Sequence, residues 1–273
     1  MKKFVFGLFV FFIMLSCADP AKKGETASYN RHEDAAESRL LSFDSLTVEK
    51  FFYISADSTR PLLKLKLHFT YPATYTSDSA LVGLQRLFVE AFAGKELAGR
   101  SPKGAFEALE KSALDDVREM ETDSDLSNWF NEDNYCYRSV ETTVFDSCGA
   151  ILTLQTTDEA YYVGAAHGSY NIKYTNIDLK ENKLLTEADL FKPGTEEKLS
   201  ALILNGLRNK YGDGLDNLLL DRDDVRPNGN FYISKGELVY VYNEYEIAAY
   251  AVGVVEAPIP LEKVKKLMKR EIE

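Results

Sequence analysis

The chain has 273 residues, 45% of them hydrophobic and 27% charged, and carries a formal net charge of −11. That length and apolar content suffice for a sizeable core, more naturally divided into two domains than one, while the acidic balance repels phosphate backbones and excludes nucleic acid as an expected partner. Three histidines scattered without a His-Glu-x-x-His or paired-cysteine pattern argue against zinc, so the sequence implies no metal and no cofactor.

Lys2 and Lys3 lead into an apolar run from Phe4 to Leu15 that stops at Ser16-Cys17. A short cationic end, about a dozen apolar residues and a small residue before a cysteine make a bacterial lipoprotein signal over residues 1–16, with Cys17 as the acylated mature N-terminus. The run is shorter than the roughly 20 residues of a spanning helix; the alternatives are an ordinary secretory signal with an incidental cysteine or a single anchor helix. Loss of the two lysines takes the net charge to about −13, and a multiply acylated cysteine meets the need for more than one chain in stable anchoring. The expected location is the bacterial cell envelope, lipid-anchored and facing the periplasm or the cell surface. Residues 17–42, polar and rich in Lys, Glu, Asp, Ser and Ala, read as a flexible tether.

The first folded signal is Leu63, Leu65, Leu67 and Phe69 alternating with Lys64, Lys66, His68 and Thr70, a half-solvated strand that Tyr71-Pro72 ends. Ser77-Asp78-Ser79 offers N-caps for a helix with Leu81, Leu84, Leu87, Phe88, Ala91 and Phe92 inward and Gly94 as its stop. A second helix from about Pro102 to Met120 turns Phe106, Leu109, Ala113, Val117 and Met120 to the core. Asn131 to Asn134 read as a turn, and Tyr135 to Phe145 with Ala150 to Thr157 as a hairpin. After a small-residue segment, Ser169 to Leu179 form a strand. Thr186 and Asp189 have capping-box spacing, and Pro193-Gly194-Thr195 opens a helix through about Tyr211 with Leu199, Leu202, Ile203 and Leu207 inward. Phe231 to Ser234 and Glu237 to Tyr242 form a hairpin around Lys235-Gly236, followed by a strand from Glu246 to Val255 and a helix from Leu261 to Lys269. Strands mixed with helices, and no regular βαβ repetition, indicate an α+β fold with mixed or antiparallel sheets. Two packed subdomains are expected, an N-terminal one over residues 43–160 and a C-terminal one over 161–271, with the option that they share one sheet.

Cys136 and Cys148 remain. An oxidising compartment favours a disulfide, but on the expected hairpin they stand at the far end and at the turn, beyond the roughly 7 Å that a bridge allows. His167 lies among Gly164, Ala165, Ala166 and Gly168, small residues that suit either a ligand cleft or a tight turn. It is a candidate proton donor or acceptor, or a structural histidine fixing that turn. Asp221, Asp223, Asp224, Asn228 and Asn230 make an oxygen-rich loop, but Arg226 occupies the sixth position, where a calcium loop has glycine; a solvated loop is the plainer reading. Tyr161, Tyr162, Tyr170, Tyr174, Tyr240, Tyr242, Tyr245 and Tyr250 are dense enough to serve a core or a recognition surface.

Gly164-Ala165-Ala166-His167-Gly168, Asn176-Ile177-Asp178-Leu179, Leu184-Leu185-Thr186, Asp189-Leu190-Phe191, Tyr242-Asn243-Glu244-Tyr245-Glu246-Ile247-Ala248 and Tyr250-Ala251-Val252-Gly253 together resemble the domain of unknown function 3298 family. That domain occurs in the extracellular part of a lysozyme-sensing anti-sigma factor and in the non-catalytic region of some peptidoglycan deacetylases. The resemblance covers about Tyr161 to Met268. The family usually has a glycine where this chain has Ala165. Residues from about Leu41 to Thr157 are similar to the companion domain that often precedes it, of the domain of unknown function 4163 type. Neither a deacetylase module nor a sigma-factor-binding segment is seen, and the resemblance implies envelope sensing or binding with no established catalytic residue.

The expected function is therefore non-catalytic recognition, of peptidoglycan-related glycan or of a cationic protein such as a lysozyme-like enzyme, with His167, Tyr170, Tyr242, Tyr245 and Glu246 as ligand-binding candidates and the membrane as a partner through the Cys17 lipid. The alternatives are an envelope polymer hydrolase or transferase using His167 with Asp178 or Glu246, and a structural or assembly lipoprotein. The segments Gly164 to Gly168 and Tyr242 to Tyr250 are expected to lie close in space.

Overall fold

The computed structural model describes residues 41–270 and 272, apart from residue 124. The signal, Cys17 and all but the end of the tether lie outside the described residues. No helix among the described residues is long and apolar enough to cross a membrane.

Leu63, Leu65, Leu67 and Phe69 alternate inward as expected, but their strand is longer. β2 (Asp57–Thr74) runs past Tyr71-Pro72 and pairs with an earlier antiparallel strand, β1 (Ser42–Ile54), ahead of the first folded segment read from the sequence. Leu46, Val48 and Phe52 of β1 stand opposite Phe69, Leu67 and Leu63; Phe51 and Tyr53 on the other face mask that period of two. The register slips where Tyr53 meets Pro61, a bulge being where a ladder tolerates a residue without an N–H.

The Ser77 hydroxyl accepts from the Ala80 N–H and caps α1 (Asp78–Ala93). Ser101 does the same for Gly104 at the start of α2 (Pro102–Thr122), with proline in the first turn. α1 buries Leu84, Phe88 and Phe92, and α2 buries Phe106, Leu109, Ala113 and Val117, in one core with the Leu63 to Phe69 row. Phe92 stacks on Phe69 at 4.3 Å between centroids, and Phe106 on Phe92 at 5.9 Å. Each such burial stabilises by roughly 1.5–3 kcal/mol. Leu87 and Met120 are only half-buried at the margin of this core.

The two helices form the crossover that brings β3 (Cys136–Cys148) parallel to β2. β4 (Ile151–Tyr161), β5 (Ser169–Asp178) and β6 (Lys183–Leu184) then add antiparallel, giving a six-stranded mixed sheet in the order β1-β2-β3-β4-β5-β6. β5 pairs with β4 from Ser169 to Asp178, so the sheet continues across residue 160 into the C-terminal part.

Both the Thr186 hydroxyl and its N–H donate to the Asp189 carboxylate, which opens α3 (Glu187–Leu190) as a capping box and holds that carboxyl at a pKa of about 2. α4 (Glu196–Tyr211) and α5 (Leu215–Leu218) follow. β7 (Phe231–Ser234), β8 (Glu237–Tyr242) and β9 (Val255–Pro260) form a second, antiparallel sheet, and α6 (Leu261–Val264) closes the chain. Leu199, Ile203 and Leu207 of α4 share a core with Leu238, Tyr240 and Tyr242. Val239 and Val241, on the opposite face of β8, pack with Tyr174 of β5. β8 is thus covered on both sides, which is why Leu238 to Tyr242 is an unbroken apolar and aromatic run.

The expected strand from Glu246 to Val255 is not formed. Tyr245 sits at φ 66° and Gly253 at φ 71°, Ile247 and Ala248 plug the second core, and a 3-10 turn spans Tyr250–Val252, so extended pairing starts only at Val255. The helix expected through Lys269 stops at Val264 and passes into a 3-10 turn at Lys265–Leu267.

The two sheets meet through aromatic rings and asparagines. Phe145, Tyr174 and Tyr232 pack with centroids 4.6–5.0 Å apart. The outward backbone groups of β5 are met by side chains: Asn243 Oδ1 accepts from the Ile172 N–H at 2.7 Å and Asn230 Oδ1 from the Tyr174 N–H at 2.8 Å. Both amides donate back to the Ile172 carbonyl. Two asparagines thereby stand in for a seventh strand.

Cys136 and Cys148 are unbridged and occupy opposite ends of β3, about 40 Å apart at the usual rise per residue. Burial, against a hydrogen bond from the Val163 N–H, pushes the Cys136 thiol above its usual range. In a Cys17→Ser chain a thiol reagent should therefore label half-buried Cys148 in the native state and Cys136 only on unfolding; simultaneous native labelling of both would contradict this packing.

Candidate functional site

The segment from Gly164 to Gly168 connects β4 to β5. Gly164 has φ 93°, and a Cβ there would meet Leu126 Cδ2 at 3.1 Å with the Trp129 ring at 3.8 Å, so both conformation and space demand glycine. Ala165 takes no left-handed conformation, so alanine is accommodated there without strain. The Ala165 N–H closes the turn on the Tyr162 carbonyl at 2.9 Å.

This turn sets His167 on the surface. Its Nδ1 lies 2.7 Å from the Gly168 carbonyl, an acceptor only, so Nδ1 carries a proton. The Tyr245 hydroxyl lies 3.2 Å from Nε2 and is hydrogen-bonded to it. Tyr250 stacks on the imidazole at 3.9 Å between centroids, and Tyr245 lies 5.8 Å from Tyr250. The Gly164 to Gly168 and Tyr242 to Tyr250 segments therefore do come together.

Tyr245 is held at the centre of a turn closed by the Glu246 N–H on the Asn243 carbonyl. Asn243 is tied to β5 and Ile247 to the second core, which forces the tyrosine into left-handed backbone at a cost of about 1–2 kcal/mol. Its ring is 59% exposed. A strained, exposed aromatic supported from both sides is the arrangement of a presented contact residue. Glu244 accepts from the Tyr170 N–H at 3.3 Å. Burial, and then the charges of Glu159 and Glu141, raise the hydroxyl of the part-exposed Tyr170. The result is an aromatic ledge of His167, Tyr245 and Tyr250, with Tyr170 and carboxylates beside it.

The remaining sequence candidates go elsewhere. Tyr242 is buried and its hydroxyl donates to the Arg226 carbonyl at 2.7 Å; burial and the charges of Glu246 and Glu187 raise its pKa. It belongs to the second core rather than a binding surface. Glu246 accepts from Asn228 Nδ2 at 2.9 Å. Asp178 is about 30 Å from the His167 end of β5 at the rise of a strand, paired with Arg270 at 2.7 Å. Burial alone would raise its carboxyl, but Arg270 and the N–H groups of Glu181 and Lys180 outweigh that and hold it low. Pairing of Asp178 with His167 is thereby corrected: the two stand at opposite ends of one strand. In the oxygen-rich loop, Asp221 caps the Asp223 N–H, Asn228 donates to the Val241 carbonyl of β8, and Asn230 anchors the β5 seam.

No local sequence pattern marks Asn230 and Asn243 as parts of the seam, or Trp129 as a surface ring. Trp129 is exposed and flanks the His167 turn at Gly164.

Residues 188–262 match a family model described as a protein of unknown function, DUF3298. The chain belongs with DUF3298 at the superfamily level. A crystal structure of a DUF3298 family member from Bacteroides fragilis is similar over 85% of this chain and 95% of its own, with 25% identity and a TM-score of 0.73. A DUF3298 family protein from Pseudomonas aeruginosa shares the fold at 16% identity and a TM-score of 0.58, over 84% of this chain and 95% of its own. No curated protein matches. The DUF3298 match spans the second sheet with both seam asparagines and the Tyr245 turn, and the Bacteroides likeness extends the DUF3298 architecture across most of the chain.

Proposed function

We propose that this DUF3298 protein is a non-catalytic recognition lipoprotein of the cell envelope, held by acylated Cys17, whose aromatic ledge binds a cationic protein such as a lysozyme-like enzyme. The observation that carries the reading is the His167–Tyr245–Tyr250 stack with carboxylates beside it. Exposed ring faces attract ammonium and guanidinium groups, neighbouring carboxylates complement them, and a net charge of −11 steers a basic protein to the surface. The resemblance to the extracellular part of a lysozyme-sensing anti-sigma factor points the same way. Peptidoglycan-related glycan is the second reading, favoured by the open Tyr245 ring, since tyrosine faces also stack on sugars.

Hydrolysis or group transfer by His167 is less well supported. A general base needs its lone pair free and a partner to orient it, whereas Nε2 is taken by Tyr245 and the two acids considered for the role are engaged elsewhere.

The test is binding of the lipid-free body to lysozyme and to purified peptidoglycan at low and raised salt, beside a muropeptide-release assay. Saturable, salt-weakened lysozyme binding without product release is expected, and Tyr245→Ala should lower affinity at least about tenfold if the ring is an interface anchor. Glycan binding lost in the same variant would favour the second reading. Turnover abolished by His167→Ala would overturn both.

A further inference from the structure

We propose that the cavity between α1, β5 and α3 is a second ligand site, separate from the His167 ledge, that takes a small zwitterion of amino-acid or dipeptide size. The cavity holds about 390 Å³, lined by Glu90 of α1, Lys173 and Thr175 of β5, Thr186 and Glu187 at α3, and Gly229. That volume falls in the range of small-molecule sites and is too small for a folded partner.

Its charges are set out for a ligand rather than for one another. Among the described residues, neither the Lys173 ammonium nor the Glu90 carboxylate has an ion pair or hydrogen bond. Glu187 accepts from the Gly229 N–H at 2.9 Å, which fixes its carboxylate at the wall. An ammonium and two carboxylates around one space complement a molecule that carries both signs.

The interior adds an unused polar group. Thr175 is 9% exposed, and its hydroxyl has no hydrogen-bond partner. Its backbone belongs to the β4 ladder opposite Leu154, and the residue lines the cavity wall. Nearby, the buried Tyr240 hydroxyl is raised by burial and then by the charge of Glu187 and a hydrogen bond to that carboxylate, so it addresses Glu187 at the cavity wall. Buried hydroxyls such as that of Thr175 are rarely left unpaired in a finished structure. Ala91, Leu184 and Leu185 supply apolar wall for a short side chain.

The experiment is titration calorimetry on the full-length chain in mild detergent with glycine, L-alanyl-L-alanine and D-alanyl-D-alanine. N-acetylalanine and alaninamide, each lacking one charge, are the controls. Saturable binding of at least one zwitterion with a Kd no weaker than about 1 mM is expected, with the controls at least about tenfold weaker. Lys173→Ala and Glu90→Gln should each lose at least about tenfold, because each removes one charge contact. Thr175→Val should weaken binding several-fold without lowering the unfolding midpoint, since it replaces an unpaired hydroxyl by a methyl of the same shape. No saturable heat from any of the three zwitterions would overturn the proposal. Retention of affinity in either charge variant, or equal binding of the singly charged controls, would place the ligand elsewhere and overturn it equally.

Discussion

Replacing Gly206 by alanine is expected to destabilise the protein by about 2 kcal/mol, although alanine is the better helix former. Gly206 lies on the buried stripe of α4 with Leu199, Ile203 and Leu207, where the helix approaches β9. A Cβ added there would stand 2.5 Å from the Pro258 carbonyl oxygen and 3.3 Å from its carbon. These are backbone atoms in a strand, so no side chain can swing aside and the helix must retreat from the sheet. Overpacking of that kind costs up to about 3 kcal/mol, against the roughly 1 kcal/mol that alanine gains over glycine in a helix. The net loss corresponds to a fall in Tm of about 4–8 °C for a domain of this size. Gly214 is the control, with φ −71° and nothing within 4 Å of its added Cβ; Gly214→Ala should be neutral or stabilising by up to about 1 kcal/mol. Urea unfolding of both variants decides it. A Gly206→Ala protein as stable as the parent would mean that α4 does not rest on β9 as described.

The elements that were legible before the coordinates are those whose signals are local. Ser77 caps its helix because a short hydroxyl three residues before an N–H needs no tertiary partner, and Pro102 opens the next helix with its fixed backbone angle. The Lys235-Gly236 hairpin is likewise written in its own turn: Lys235 has φ 50° and Gly236 φ 79°. β1 escaped because Phe51 and Tyr53 put rings on its solvent face and Pro61 slips its partner. The segment after Tyr242 misled for the opposite reason: Ile247, Ala248 and Val252 are apolar enough for a strand, but they serve as a core plug and a 3-10 turn. Parallel pairing of β2 with β3 depends on how two intervening helices pack, and period-two patterns carry no information about that.

At the candidate site the same division holds. His167 among small residues was visible, and so was the neighbourhood of Tyr245 and Tyr250, because the motif blocks named both segments. What each residue does there was not visible. Tyr242 and Tyr245 are three apart and chemically alike, yet one is buried in the second core and the other is an exposed ring of the ledge. The difference lies in Asn243, which pins the chain to β5 and reverses it between them. An asparagine used as a surrogate strand has no sequence pattern of its own, since the amide looks like any loop residue until the edge it covers is known.

Asn230→Ala should be the most damaging polar substitution at that edge, with an expected loss of about 2–4 kcal/mol. The amide makes two hydrogen bonds at 2.8 Å, from the Tyr174 N–H and to the Ile172 carbonyl. Ile172 keeps a second donor in Asn243 at 3.1 Å, so its carbonyl is not orphaned. The Tyr174 N–H has no such reserve, and the residue is buried. The unpaired buried Tyr174 donor costs about 1–3 kcal/mol, and the lost bond to the Ile172 carbonyl adds about 1 kcal/mol. Asn230→Asp separates the two functions of the amide. It preserves an acceptor for Tyr174 but turns a carboxylate, with no donor, towards the Ile172 carbonyl. Near neutral pH it should be nearly as unstable as the alanine variant. As pH falls through the pKa of that buried acid, raised above about 4 by burial, the protonated form regains a donor and the deficit relative to the parent should shrink. Hydrogen exchange supplies a local readout: the Tyr174 amide should lose protection in Asn230→Ala by more than the global destabilisation accounts for, while Ile172, still held by Asn243, should not. Undiminished protection at Tyr174, or a stability loss below about 0.5 kcal/mol, would show that the seam between the sheets is held by the Phe145–Tyr174–Tyr232 rings alone.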